Sequence, residues 1–199
     1  MAATDSQASS TANRRSTILN CALDLFASRG YDAIGVQELV NAAGITKPTL
    51  YYYFGSKRGL LETLIQEKLS PFIDQLSLAT AYSGDLPLTL QRVVEVYFQF
   101  AQQESRFYQL FLSLSYPVPD NEANQLMRPW ITRQWQLLES LFQQAAQDHG
   151  NMHERHRQYA TVFLSILNGY ISLIFQQGVE VTEHTIWQVV HQFSHGIYS

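Results

Sequence analysis

The sequence predicts an all-α protein of about nine helices, and three observations carry that reading. Apolar residues recur at three- and four-residue spacing nearly throughout. No stretch alternates with the two-residue period of a strand, and no repeat of fixed period is present. Glycines and Gly/Pro clusters fall between the periodic segments, where helices must stop.

The first helix is predicted from about Arg15 to Arg29, with Ile18, Ala22, Leu25 and Phe26 on one face and Gly30 as its C-terminal stop. A second spans 36–43 and ends at Gly44, and a third spans 47–54. Ser56 is a good N-cap for a fourth, which runs to about Thr80. Gly84, Asp85 and Pro87 mark a turn, followed by a fifth helix to about Gln103 and a sixth to about Leu114. Pro117, Pro119 and Asn121 mark a loop. A seventh helix then reaches about Asp148, an eighth spans about Glu154–Gln177 up to Gly178, and a ninth spans about Glu183–Ile197.

At 199 residues, 46% hydrophobic and 13% aromatic, the chain has ample material for a core, which excludes wholesale disorder. Residues 1–13, rich in Ser, Thr, Ala and Gln and without an apolar segment, read as a disordered tail rather than a signal peptide. The net charge of −4 is unevenly spread. Residues 1–60 hold six basic and four acidic side chains, and the remainder holds seven basic and thirteen acidic ones. A basic front on an acidic body suits an anionic partner at the front. One cysteine, Cys21, excludes an intramolecular disulfide and reads as a structural thiol. No uninterrupted apolar run approaches the ~18 residues of a membrane span, so the expected location is cytoplasmic, with no membrane partner.

The informative stretch is Val36–Leu61, VQELVNAAGITKPTLYYYFGSKRGLL. Val36, Leu39, Val40 and Ala43 form one apolar face, and Gly44 permits a positive φ at a tight turn. Thr46 is placed to cap the third helix, and Pro48 fits its first turn, where a missing N–H costs little. Leu50, Tyr53 and Phe54 share an arc that can be buried. Pro48, Tyr51 and Tyr52 lie opposite, flanked by Lys47 and Thr49. A short helix with outward aromatics and a base suits a major groove. Lys57 and Arg58 stand in the first turn of the fourth helix, where the helix dipole disfavours cations. A DNA phosphate would relieve that conflict, and so would plain extension into solvent.

This stretch resembles the DNA-binding domain of the TetR family of bacterial regulators. ILNCALDLFASRGYDAI resembles the helix leading into the motif, and AAGITKPTLYYYFGSKRGLL resembles the turn, the recognition helix and the start of the connecting helix. The resemblance covers about residues 15–65; beyond it only helical architecture and length match. It implies a helix-turn-helix DNA-binding domain over 14–60 and a helical ligand-binding and dimerisation domain over 61–199. Carried over by position, the DNA contacts are Gln37, Thr46, Lys47, Pro48, Thr49, Tyr51, Tyr52 and Lys57. Tyr52 and Lys57 would hold phosphates, and Lys47 and Thr49 would approach base edges. Two departures stand out: Gly35 replaces the usual hydroxyl N-cap, and Pro48 replaces a frequent glycine.

In the C-terminal body, the eighth helix is apolar around most of its circumference, from Val162 to Phe175, and needs neighbours on more than one side. The ninth carries a narrower stripe. The resemblance implies that the two pair with their symmetry mates in a four-helix interface, which assigns Ile166, Tyr170, Ile174, Val189, Phe193 and Ile197 to a homodimer. An effector pocket for a small organic molecule is expected among Tyr97, Phe100, Phe107, Phe111, Trp130, Trp135, Tyr159 and Phe163. Taken singly, each of these aromatics reads equally as core. His149, His153 and His156 read as a solvated loop and helix start, so no metal ligand is assigned, and no cofactor. No nucleophile–base pairing or phosphate loop supports an enzyme. The length beyond residue 80 exceeds what DNA grip alone requires. The expectation is therefore a sequence-specific regulator of transcription: a repressor released from operator DNA by a small organic effector.

Overall fold

The computed structural model describes residues 2–115 and 121–196, with side chains from residue 13 onward except at position 151. The expected loop at Pro117 and Pro119, and Ile197, lie outside these residues. Those described form nine α-helices and a short 3-10 turn at Gly150–Met152, with no strand. The helices are α1 (Ala2–Arg29), α2 (Val36–Ala42), α3 (Lys47–Phe54), α4 (Lys57–Ala79), α5 (Leu86–Gln103), α6 (Ser105–Ser115), α7 (Glu122–Ala145), α8 (His156–Gln177) and α9 (Glu183–His195). The all-α prediction holds.

α1 begins at Ala2, well before the expected Arg15, so helix covers the stretch read as a tail. No proline or glycine occurs before Gly30, and Ala2, Ala3, Ala8 and Ala12 favour helix, so nothing local terminates it. α8 starts at His156 rather than Glu154, because Glu154 itself takes a positive φ of 61° that no helix accepts.

The chain forms two compact units: residues 1–68 with 106–128, and residues 69–105 with 129–199. In the first, Ile18, Ala22 and Phe26 of α1, Leu39 and Val40 of α2, Leu50 and Phe54 of α3, and Leu60, Leu61 and Leu64 of α4 are buried. Phe107, Tyr108 and Phe111 of α6 and Met127 of α7 belong to the same unit and are buried too. Polar links tie α6 and α7 to the motif helices. Arg106 pairs with Asp24 at 3.5 Å, Arg58 with Glu122 at 3.5 Å, and Asn121 donates to Asp32. The first unit therefore extends past the three helices legible in the sequence.

In the second unit α9 packs on α5 and α8. Its core is aromatic: Phe72 stacks on Phe100 at 4.4 Å and meets Tyr97 edge-on at 5.2 Å, while Phe163 lies 6.0 Å from Phe142 and 4.8 Å from Phe193. Asp85 caps α5 by accepting from Leu88 N–H at 2.9 Å, and Thr182 with Thr185 forms a capping box at α9. α4 and α7 run from one unit into the other, and each carries an internal proline, Pro71 and Pro129, close to the passage. A proline inside a helix removes one backbone donor and weakens the helix there.

Candidate functional site

The site begins with the turn between α2 and α3. Gly44 has φ of 63°, the left-handed conformation expected of it. Ile45 N–H donates to the Val40 carbonyl at 2.9 Å and closes the turn. α2 is held to α1 by the Arg29–Glu38 pair and by the Cys21 thiol, which donates to the Ala42 carbonyl at 3.7 Å. Cys21 thus makes a contact between α1 and α2. Glu38 is the one acidic residue in 36–58, and this pairing neutralises it.

Leu50 and Phe54 anchor α3, as their arc predicts. Tyr53, expected with them, is only half-buried and packs edge-on against Tyr52 at 5.2 Å. The opposite arc is open: Lys47, Pro48, Tyr51 and Tyr52 are exposed and Thr49 is half-buried. Tyr52 is 81% exposed and Tyr51 beside it 45%, so α3 turns two aromatic rings outward. Thr46 sits at the N-cap, yet its hydroxyl makes no capping bond; it pairs with the Thr49 hydroxyl at 2.9 Å. The Thr49 hydroxyl thus engages the side chain that would otherwise accept from a first-turn N–H. Gln37 is exposed and donates to Asn41 at 3.0 Å.

Ser56 caps α4 as expected, accepting from Gly59 N–H at 2.9 Å. The two cations of that first turn do not simply extend into water. The Lys57 ammonium lies 3.9 Å from the centroid of the Tyr31 ring, and Arg58 pairs with Glu122. Burial lowers the Lys57 pKa, against the opposing pull of Asp32 and Glu122. Burial and the hydrogen bond to Glu122 raise that of Tyr31 well beyond its ordinary range. Neither Tyr31 nor Glu122 stands out in sequence, because 91 positions separate them. Arg14 and Thr17 of α1 escaped notice as well; with Gly44 and Ile45 they line a hollow of about 270 Å³ beside the entry to α3. The available signal was a basic residue, Arg14, one turn before Thr17 on the helix that packs against α2.

The expected effector aromatics are divided. Tyr97, Phe100 and Phe163 are buried and Trp130, Trp135 and Tyr159 half-buried in the second unit, whereas Phe107 and Phe111 are buried in the first. Trp135 lines an open groove of about 420 Å³ with Thr132, Gln136, Glu139, Arg157 and Thr161. Sequence reasoning passed over Gln134, which is buried in the second unit with its amide nitrogen unpartnered. His149 and His153 are exposed, His156 lies 3.4 Å from Glu139, and the described residues hold no cluster of three metal-ligating side chains.

Of the residues assigned to the dimer, Val189 faces inward and Phe193 is half-buried. Val189 is fully buried within its own chain, and Phe193 packs against Phe142, Tyr159 and Phe163. The single apolar stripe of α9 is consumed by α5 and α8. Ile166, Tyr170 and Ile174 are half-buried, and the Tyr170 hydroxyl donates to Gln192 at 2.9 Å. The uncovered face is Val162, Ile166 and Leu173 of α8, with Trp187 on α9. By length and composition α8 is apolar enough to cross a membrane, yet only 28% of its most apolar window is buried in the chain.

Such a motif, with its recognition helix bared and its anchors buried, defines a helix-turn-helix protein. Residues 18–64 match the family model of the bacterial regulatory proteins, tetR family. The HTH-type transcriptional activator FasR of Mycolicibacterium smegmatis is 31% identical over 113 residues, 57% of this chain and 52% of that protein. The HTH-type transcriptional repressor KstR2 of Rhodococcus jostii is 40% identical over 68 residues, 34% of this chain and 31% of the relative. The matches thus span about half the length of these relatives or less. The regulator FadR of Bacillus subtilis, solved in complex with stearoyl-CoA, shares the fold with a TM-score of 0.73 and 18% identity, covering 92% of this chain and 98% of that one. Over residues 18–64 the chain is thus similar to the tetR family's regulatory proteins, and over 92% of its length it shares their fold.

Proposed function

We propose that the protein is a homodimeric, sequence-specific DNA-binding regulator of transcription whose grip on operator DNA is released by a small organic effector. The observation that carries the reading is the bare face of α3. Tyr51, Tyr52, Lys47 and Pro48 are presented outward from a helix whose own anchors are buried, and a major groove accommodates that face. In this reading residues 14–60 bind DNA, and 61–199 sense the effector and dimerise. Gln37, Tyr52 and Lys57 meet phosphates, and Lys47 and Thr49 meet base edges. A cytoplasmic location follows from a DNA partner.

Two half-sites require two copies of α3, and the uncovered α8 face is what a second copy would bury. The interface proposed here is Val162, Ile166, Tyr170 and Leu173 of α8 with Trp187 of α9, in place of the buried Val189. Sensing is supported by the aromatic second unit and by the unpartnered amide of buried Gln134, since an unsatisfied buried donor costs roughly 1–3 kcal/mol and invites a polar partner. The stearoyl-CoA of the B. subtilis neighbour makes long-chain acyl-CoA the first class to test. α4 and α7 enter both units, so an effector that displaces either would alter the spacing of the two recognition helices. Release requires that the effector prefer the non-binding spacing.

Repression is the direction favoured by KstR2, and activation is the direction of FasR. A reporter driven by the bound promoter separates them. Titration of Trp fluorescence with stearoyl-CoA, followed by DNA binding at saturation, tests the sensor. Saturable binding that lowers DNA affinity supports it, and binding that leaves DNA affinity unchanged excludes acyl-CoA as the effector.

A further inference from the structure

Lys57 occupies a position its own helix disfavours, at the positive end of α4, and its surroundings explain how it is held there. Its ammonium sits over the face of Tyr31, a buried residue in the turn after α1. The ring is fixed in turn. Phe26 packs against it with centroids 5.2 Å apart, and its hydroxyl donates to Glu122 Oε2 at 2.5 Å. The other carboxylate oxygen of Glu122 pairs with Arg58, so the carboxylate is itself oriented. Asn121 Oδ1 accepts from Ala123 N–H at 2.7 Å and its amide donates to Asp32, tying the start of α7 to the residue beside Tyr31.

An exposed lysine gives up much of its rotamer freedom when a phosphate immobilises it. A lysine already seated on an aromatic face has lost much of that freedom beforehand. A carboxylate could hold it equally well but would cancel its charge; a ring quadrupole holds a cation and leaves the charge available.

We infer that Tyr31 is a positioning residue for DNA binding: its ring holds the Lys57 ammonium ready for a backbone phosphate, and Glu122 holds the ring. This rests on the reading of Lys57 as a phosphate contact. Tyr31 acts through Lys57 and touches no DNA.

The test uses a labelled random-sequence duplex, because phosphate contacts are independent of sequence. Affinity is measured across a salt series for the full-length protein and its Tyr31→Leu, Tyr31→Phe, Lys57→Ala and Tyr31→Leu/Lys57→Ala variants. Lys57→Ala weakens binding and reduces the salt slope by about one for each phosphate it no longer neutralises. Tyr31→Leu weakens binding about fivefold with the slope unchanged, since the ammonium remains. Tyr31→Phe keeps the ring but frees it from Glu122, and weakens binding by about twofold, less than Tyr31→Leu does. In the Lys57→Ala background, Tyr31→Leu has no further effect, which a general loss of stability would not produce. If Lys57→Ala leaves affinity and slope unchanged, the phosphate reading fails and the inference with it. If Lys57→Ala weakens binding but Tyr31→Leu does not, or Tyr31→Leu weakens it equally without Lys57, the positioning role alone is overturned. Tyr31→Met, apolar and without a ring, replaces Tyr31→Leu should the latter fail to fold.

Discussion

Leu173→Asp is the sharpest perturbation of the proposed dimer. Leu173 is 41% exposed in the single chain, on the face of α8 that its own protomer leaves bare. Burying the remaining part of that side chain contributes about 1 kcal/mol per copy, from a full-burial value of ~1.5–3 kcal/mol. The aspartate must also lose its hydration against an apolar partner face, at a further ~2–3 kcal/mol per copy after relaxation. A two-fold axis places both copies in one interface, so the penalty doubles to about 6–8 kcal/mol, or about four to six decades in the dimer Kd. The substitution faces solvent in the monomer and leaves the buried face formed by Phe163, Leu164, Leu167 and Ile171 untouched, so thermal unfolding of the monomer stays close to the parent. Sedimentation velocity over a dilution series reads the change directly: the parent stays dimeric where the variant is monomeric. Operator affinity falls with it, because a monomer engages one half-site only. A variant that sediments as an unchanged dimer refutes the assignment of this face.

Thr49→Ala removes a hydroxyl and a methyl from the recognition helix and narrows the gap between operator and random DNA by ~1–3 kcal/mol with little change in salt slope; competition binding with both duplexes checks it. Tyr31 and Tyr108 both have pKa values raised above the ordinary 10.0, by burial first and, for Tyr31, by its bond to Glu122. A raised folded value stabilises the protein fully below pH 10 and is lost as pH climbs through the unfolded value toward the folded one. Ultraviolet titration should therefore show these two phenols ionising only with unfolding, and Tyr31→Phe should remove its share of the alkaline loss.

Much of the DNA-binding unit was legible because its signals are local. Leu50 and Phe54 recur at helical spacing, Ser56 precedes its helix as a cap, and Gly44 marks a turn that only a positive φ closes. The misplacements have equally specific causes. Thr46 makes no capping bond because its hydroxyl pairs with that of Thr49 instead, a side-chain competition that propensity does not weigh. Tyr53 shares an arc with Leu50 and Phe54 but lies at its edge, where Tyr52 covers it only in part. α8 is apolar on nearly every side, so periodicity could not say which arc turns inward. α9 carries one stripe, and its own protomer takes it, which buries Val189 and leaves Phe193 half-buried. The link from Tyr31 to Glu122 joins positions far apart in the chain, and no pattern within a single helix announces it.

The central claim is that two copies of the chain read one operator. Genomic DNA fragments recovered on the purified, immobilised protein, and sequenced against the input, test it most directly. The account predicts enrichment of an inverted repeat whose half-sites lie about one helical turn apart, ~34 Å centre to centre, or a multiple of it. Recovery of fragments that share no repeat, in proportion to their abundance in the input, would contradict it.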